Sequence, residues 1–314
     1  MGLFRYLIQY RFRDMGELIR NEKKLPLGCD NDLKGKTAVI SGTTSGIGLE
    51  TARLFASKGA DLVCLNRNLQ KSEKLEKELV GLYGCTIRTI QADFSSLTQT
   101  KKCVHELLNM KTPIDILIHN SGVYHTKRAY SEDGIEMVFH VNHLAPFCLN
   151  YLLREKLLDE NRARIIYVNS EGHRFALAGV HLNDLDWRWH RYSGLKSYGA
   201  AKTAQLLTMI KFRDYFSNSR ITINAMHPGN VKSNIGENNG KLYRMIKRKL
   251  ILSTAKDPLI SAQALYYLSA ADEVKYVSGR FFNLTTPERP APHGRDNSRV
   301  DMVWEKSLEL CRLL

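Results

Sequence analysis

The chain has 314 residues, enough for one large α/β domain or two small ones. Hydrophobic residues make up 43% and charged residues 25%, the balance of a folded globular protein, which excludes a disordered, collagen-like or coiled-coil chain. Lysine and arginine outnumber aspartate and glutamate by 46 to 32, a formal charge of +14, which raises the question of an anionic partner.

The excess charge is local. Residues 1–24 carry six basic and three acidic groups, interleaved with an apolar stripe at Leu3, Phe4, Leu7, Ile8, Phe12 and Met15. Residues 241–256 carry Lys241, Arg244, Lys247, Arg248, Lys249 and Lys256 without an acid, around apolar Leu242, Met245, Ile246 and Leu250. Each segment reads either as packed or solvated surface or as an interfacial face for an anionic membrane. No nucleic-acid module accompanies the cations, so no nucleic-acid partner is expected. No apolar stretch reaches a membrane span, and no secretory pattern opens the chain. Tyr6 stands where myristoylation would want Ser or Thr. The six cysteines, Cys29, Cys64, Cys85, Cys103, Cys148 and Cys311, lack metal-site spacing and read as reduced, so no metal and a cytoplasmic protein, peripheral at most, are expected.

From Lys36 onward, short apolar runs alternate with helical patterns. The runs cover residues 37–41, 61–66, 86–92, 114–119, 164–169, 221–226 and 280–283; the helical patterns include 69–82 and 196–216. Each run is too short for a helix, rich in Val and Ile, and often apolar on both faces, as a buried parallel strand is. Strands separated by helices predict right-handed βαβ units and an α/β fold. That fold is a single-domain, Rossmann-type, doubly wound parallel sheet of about seven strands with helices on both faces. It spans 34–285, between an N-terminal basic amphipathic extension, 1–33, and a C-terminal extension, 286–314.

The first run leads into Gly42-Thr43-Thr44-Ser45-Gly46-Ile47-Gly48 and then a helix. Glycines there permit a tight turn and close approach of backbone to a pyrophosphate, whose charge meets the N–H groups of a helix N-terminus. Placed after the first strand of a βαβ unit, Gly42, Ser45, Gly46, Ile47 and Gly48 point to dinucleotide binding. The second run ends at Asn66-Arg67. An NAD site usually places an acid here for the ribose hydroxyls; a guanidinium suits a 2′-phosphate and favours NADP(H), with NAD(H) possible. Ser170 ends the fifth run, where open α/β sheets bind ligands, and a hydroxyl there can donate to a reacting oxygen. Tyr198 and Lys202 stand one helical turn apart on one face. A neighbouring ammonium stabilises a phenolate, so this tyrosine can act as general acid or base.

Together with Asp93, His119-Asn120-Ser121-Gly122, Asn142 and Pro228-Gly229, these residues closely resemble the short-chain dehydrogenase/reductase family over about 34–285. The resemblance implies Tyr198, Lys202, Ser170 and Asn142 as the catalytic set and Asp93 near the adenine. It places Asn120 and Gly122 behind the cofactor, with Pro228, Gly229 and Val231 lining it, and implies that Lys202 also holds the nicotinamide ribose. His119-Asn120-Ser121-Gly122 departs modestly from the more usual Asn-Asn-Ala-Gly. Pro146, four residues after Asn142, has no N–H for the Asn142 carbonyl, which would stay open to a relay water. Residues 141–147 and 226–231 look like the retinol-dehydrogenase-like branch, which implies a lipophilic carbonyl or alcohol substrate and a substrate loop at 229–256. Trp187, Trp189 and Tyr192 lie in an insertion that either walls an apolar pocket or packs as a long loop. The family pairs through helices like those at 131–157 and 196–218, so a homodimer is possible, unless the terminal extensions block it. Two other readings remain: a dinucleotide-binding sensor or scaffold that has lost catalysis, and a C=C reductase on the same fold.

Overall fold

The computed structural model describes residues 6, 9, 20, 21, 24–232, 235, 236, 239, 240 and 255–314. Both apolar stripes named above lie outside these residues, apart from isolated neighbours such as Tyr6 and Asn21.

Eight strands form one sheet: β1 (Thr37–Ser41), β2 (Asp61–Asn66), β3 (Ile87–Gln91), β4 (Ile116–His119), β5 (Arg164–Val168), β6 (Thr222–His227), β7 (Phe281–Asn283) and β8 (Thr286–Glu288). Their order is β3-β2-β1-β4-β5-β6-β7-β8. The first seven are parallel, as the two-faced apolar runs imply, while β8 turns back antiparallel on β7 and makes the edge. Such a short, proline-containing strand gives no period-two signal. Among the described residues, seven main helices cover the sheet: α1 (Gly46–Ser57), α2 (Leu69–Tyr83), α3 (Leu97–Leu108), α4 (Ala145–Glu160), α5 (Gly194–Tyr215), α6 (Leu259–Ala270) and α7 (Asn297–Leu310). Local chemistry sets their ends. Asn68 caps α2 by accepting from the Lys71 N–H, and Gly84 stops it in the left-handed conformation (φ +64°).

Side chains of each strand alternate between two cores. Val39, Leu117 and Ile165 face α3, α4, α5 and α7; Ala38, Ile40, Ile116 and Ile118 face α1, α2 and α6. The strand order reverses between β1 and β4, and in open α/β sheets ligands bind at the carboxyl ends of strands at such a switch. Residues beyond 285 enter the core through α7. Trp304 is buried, with its ring 4.7 Å from that of Phe212 and 5.0 Å from that of Phe147. Helix α7 thus lies over the α4/α5 face that a dimer of the kind considered above would use. Among the described residues, no helix is long and apolar enough to cross a membrane.

Candidate active site

Two backbone features shape the loop after β1. Gly42 has φ +73°, and a Cβ there would approach Ser121 Oγ to 2.8 Å. A Cβ on Gly48 would meet the Gly42 carbonyl oxygen at 2.1 Å, so the loop can close onto α1 only with glycine at both positions. Asn120 ties the loop to β4, donating from Nδ2 to the carbonyls of Ser41 (3.0 Å) and Gly42 (3.1 Å). Ser45 caps α1 without a side-chain hydrogen bond, which leaves first-turn N–H donors to an outside acceptor. This cradle fits a dinucleotide pyrophosphate in shape and donor chemistry.

Asn66 is turned inward. Its Oδ1 accepts from the Thr43 N–H (2.8 Å), and its Nδ2 donates to Thr43 Oγ1 (2.8 Å) and Ser72 Oγ (3.0 Å). Its side chain therefore holds the glycine loop. Arg67 projects outward at 72% exposure, 3.8 Å from Asp93, whose other oxygen accepts from Ser95. Gly122 lies against Asn142: a Cβ there would stand 3.2 Å from Asn142 Oδ1.

The Asn142 amide grips the Val123 backbone, accepting from its N–H (2.8 Å) and donating to its carbonyl (2.9 Å). It sits in a π-helical turn, His140–Leu144, in which the Ala145 N–H reaches the His140 carbonyl five residues back. Pro146 follows at the start of α4. The proline thus falls where the ladder has already shifted, and single π turns are common at functional sites. His119, in the motif that departs from the family pattern, is buried against Asn150 Oδ1 (2.7 Å), and burial pushes its imidazole down to about 4. It is a neutral core residue.

Ser170, Tyr198 and Lys202 come together at the ends of β5 and the start of α5. Ser170 Oγ accepts from the Gly172 N–H (2.9 Å), and a Cβ on Gly172 would press 2.7 Å from Tyr198 Cε1. Gly172 is therefore the space into which the tyrosine ring fits. Lys202 Nζ lies 5.7 Å from the centre of the Tyr198 ring and donates to the Val168 carbonyl (2.8 Å). Burial pushes the Lys202 amine down from 10.5 to about 7. Pro228 and Gly229 follow β6, with Gly229 at φ +76°; Val231 is buried and bridges to Lys256.

Several positioning residues escaped the sequence reading. Gln205 Oε1 accepts from Asn169 Nδ2 (2.9 Å) and from Lys202 Nζ (3.4 Å). Asn169 Oδ1 accepts from the Ser170 N–H (2.8 Å). Gln205 stands two turns after Tyr198, so helical spacing could have flagged it. His173 bonds the Ser170 carbonyl through Nδ1 (2.8 Å) and accepts from the Ala291 N–H at Nε2 (3.0 Å). Nothing in the local pattern announces that pairing. Of the insertion's aromatic residues, Tyr192 lines a cavity, Trp187 is buried edge-on to it (5.4 Å), and Trp189 is 76% exposed.

The family model for short chain dehydrogenases matches residues 36–182. The chain is 30% identical over 287 residues to retinol dehydrogenase 13 of Homo sapiens, covering 90% of this chain and 86% of that protein. It is 32% identical over 298 residues to short-chain dehydrogenase TIC 32 A, chloroplastic, of Brassica napus, covering 90% and 91%. Among solved structures it resembles an uncharacterized protein from Mycobacterium paratuberculosis with a TM-score of 0.71 at 24% identity, covering 93% of this chain and 97% of that one. It also resembles a blue fluorescent protein from a metagenomic library, in complex with NADPH, with a TM-score of 0.62 at 24% identity, covering 80% and 96%.

Proposed function

Because the chain belongs to the short-chain dehydrogenase/reductase family, in its retinol-dehydrogenase-like branch, we propose that it is an NADP(H)-dependent enzyme acting on lipophilic aldehydes, ketones or alcohols. The coarser part of that reading, an oxidoreductase of CH–OH and C=O groups using a nicotinamide dinucleotide, follows from the family. The observation that carries the enzymatic reading is Tyr198, seated on Gly172 beside Ser170 with the Lys202 amine next to its ring.

A nicotinamide dinucleotide held by the glycine loop and Lys202 would supply hydride chemistry at the carbonyl or alcohol carbon. Tyr198 gives the matching proton to the oxygen in reduction and removes it in oxidation. Ser170 donates a hydrogen bond to that oxygen and stabilises the charge that develops there. Lys202 and Tyr198 are reciprocally coupled: an ammonium favours the phenolate, and a phenolate favours the ammonium. An amine that titrates near neutrality can follow the tyrosine's proton within the working pH range. Asn142, with its side chain committed to Val123, acts through its main-chain carbonyl, where a relay water would connect the site to solvent. Gly42, Ser45, Gly46, Ile47 and Gly48 hold the pyrophosphate. Asp93, Asn120, Gly122, Pro228, Gly229 and Val231 line the nucleotide's path, and Asn66 acts from behind the loop.

Arg67 supports the NADP(H) preference, since an exposed guanidinium at the end of β2 is free to meet a 2′-phosphate and its ion pair with Asp93 is long. The relatives' names, retinol dehydrogenase 13 and 14, support a lipophilic substrate. A screen of aldehydes, ketones and retinoids with NADPH and NADH side by side tests the proposal. Tyr198→Phe should cut turnover at least about a hundredfold while nucleotide still binds. Retained turnover in that variant would reject the role of Tyr198, and no turnover by wild type with any of these compounds would reject the proposal and leave a catalytically silent binder.

The segregation of cations into 1–24 and 241–256 favours a second property, peripheral contact with an anionic membrane. Cosedimentation with phosphatidylserine vesicles, lost in salt and absent with phosphatidylcholine, would support it; equal binding to both compositions, or none to either, would reject it.

A further inference from the structure

Beside Tyr124, whose ring packs on Tyr198, the surface opens into a shallow pocket of about 510 Å³. Two stretches distant in sequence line it. Tyr124 and Thr126 come from the loop after β4, and residues 191–196 lead into α5. Asn239 braces the first of these: its Oδ1 accepts from the Thr126 N–H (2.7 Å) and hydroxyl (2.8 Å), and its Nδ2 donates to the Tyr124 carbonyl (2.9 Å). The Tyr124 ring also stands edge-on to Tyr198, 5.9 Å between centres, so one side chain joins the cavity wall to the reacting centre.

The walls are of two kinds. Tyr124 and Tyr192 offer half-buried aromatic surface, while Arg191 and Lys196 are exposed cations. No carboxylate lines the cavity, and neither cation has an ion pair among the described residues. Nearby acids are already engaged. Asp184 accepts from the N–H groups of Arg188, Trp189 and His190 and from the His190 ring; Asp186 pairs with Arg188. Glu136 is buried behind Tyr192, accepting from its hydroxyl (3.1 Å) and from Ser197 (2.9 Å). Among the described residues, Arg191 and Lys196 therefore place two unpaired cations at the mouth, beside the rings of Tyr124 and Tyr192.

We infer that the substrate is an amphiphile, with its carbonyl or alcohol at Tyr198 and a carboxylate or phosphate at its far end held by Arg191 and Lys196. This deepens the oxidoreductase reading and rests on it. The chemistry is unchanged: one hydride to carbon and one proton to oxygen, or the reverse, with the anionic end taking no part. Because that end is remote from the reacting carbon, it acts mainly through KM. Exposed charges attract from a distance and weaken in salt.

The test compares an n-alkanal, the ω-oxo carboxylate of the same chain length, and the corresponding ω-oxoalkyl phosphate, using the full chain with NADPH and with NADH. We expect KM for one or both anionic probes to be about tenfold below that of the alkanal at low salt, with the gap closing as salt is added. Which anion gains more distinguishes carboxylate from phosphate. In Arg191→Gln/Lys196→Gln the ratio of anionic to neutral kcat/KM should fall about tenfold. An alkanal used as well as either anion, or a preference that survives the double substitution, overturns this inference while leaving the oxidoreductase reading intact. Failure to turn over all three with both nucleotides, retinoids included, overturns both.

Discussion

Replacing Lys202 by methionine tests the electrostatics of the site apart from its chemistry. The amine is buried and titrates near 7 in the folded protein, against an ordinary 10.5. Between those values the unfolded chain binds a proton that the folded chain does not, so raising pH through that window favours folding. Below about pH 7 the full cost is present: a gap of about 3.5 units corresponds to about 5 kcal/mol. Methionine cannot ionise, so Lys202→Met removes this dependence. It also leaves the Val168 carbonyl without its donor, a loss of about 1–3 kcal/mol that does not vary with pH. The difference in unfolding free energy, wild type minus variant, should therefore rise by about 3 kcal/mol between pH 7.5 and 9.5, since one proton corresponds to about 1.4 kcal/mol per pH unit. Groups common to both proteins cancel in that difference. Denaturant titrations of nucleotide-free protein at several pH values provide the measurement. Parallel profiles would mean that Lys202 is charged throughout and that burial does not control its proton.

Other outcomes follow from the same geometry. Gly172→Ala drives a methyl group toward Tyr198 Cε1, so kcat should drop at least about tenfold with nucleotide affinity retained; normal kcat would show that the ring has room to shift. Arg67→Glu should raise KM for NADPH about tenfold or more while NADH is little affected, and equal effects on both would assign Arg67 to solvent. Trp304→Ala empties a buried site among Phe147, Tyr151 and Phe212 and should cost about 3–5 kcal/mol in chemical denaturation; a loss below about 1 kcal/mol would make α7 a dispensable appendage.

Much of the fold was legible because its signals are local. Two-faced apolar runs identify buried parallel strands, and residues 37–41 and 61–66 coincide with β1 and β2. The glycine loop and the Tyr198/Lys202 pair are legible through spacing together with their places after the first and fifth strands, since four residues make one helical turn. Asn66 shows the limit. Its place at the end of β2 was readable, but not that its amide would be consumed by Thr43 and Ser72 behind the loop.

The sequence alone therefore determined the order of strands and helices, the phosphate cradle and the tyrosine–lysine pair, since each is written in residues a few positions apart. The folded chain decided the rest: a carboxy-terminal helix in the core through Trp304, an Ala291 amide orienting His173 behind Ser170, and an asparagine at 239 closing over Thr126. Those contacts join segments far apart along the chain. No periodicity encodes them, because they depend on how side chains from separate loops meet once the sheet has closed its layers.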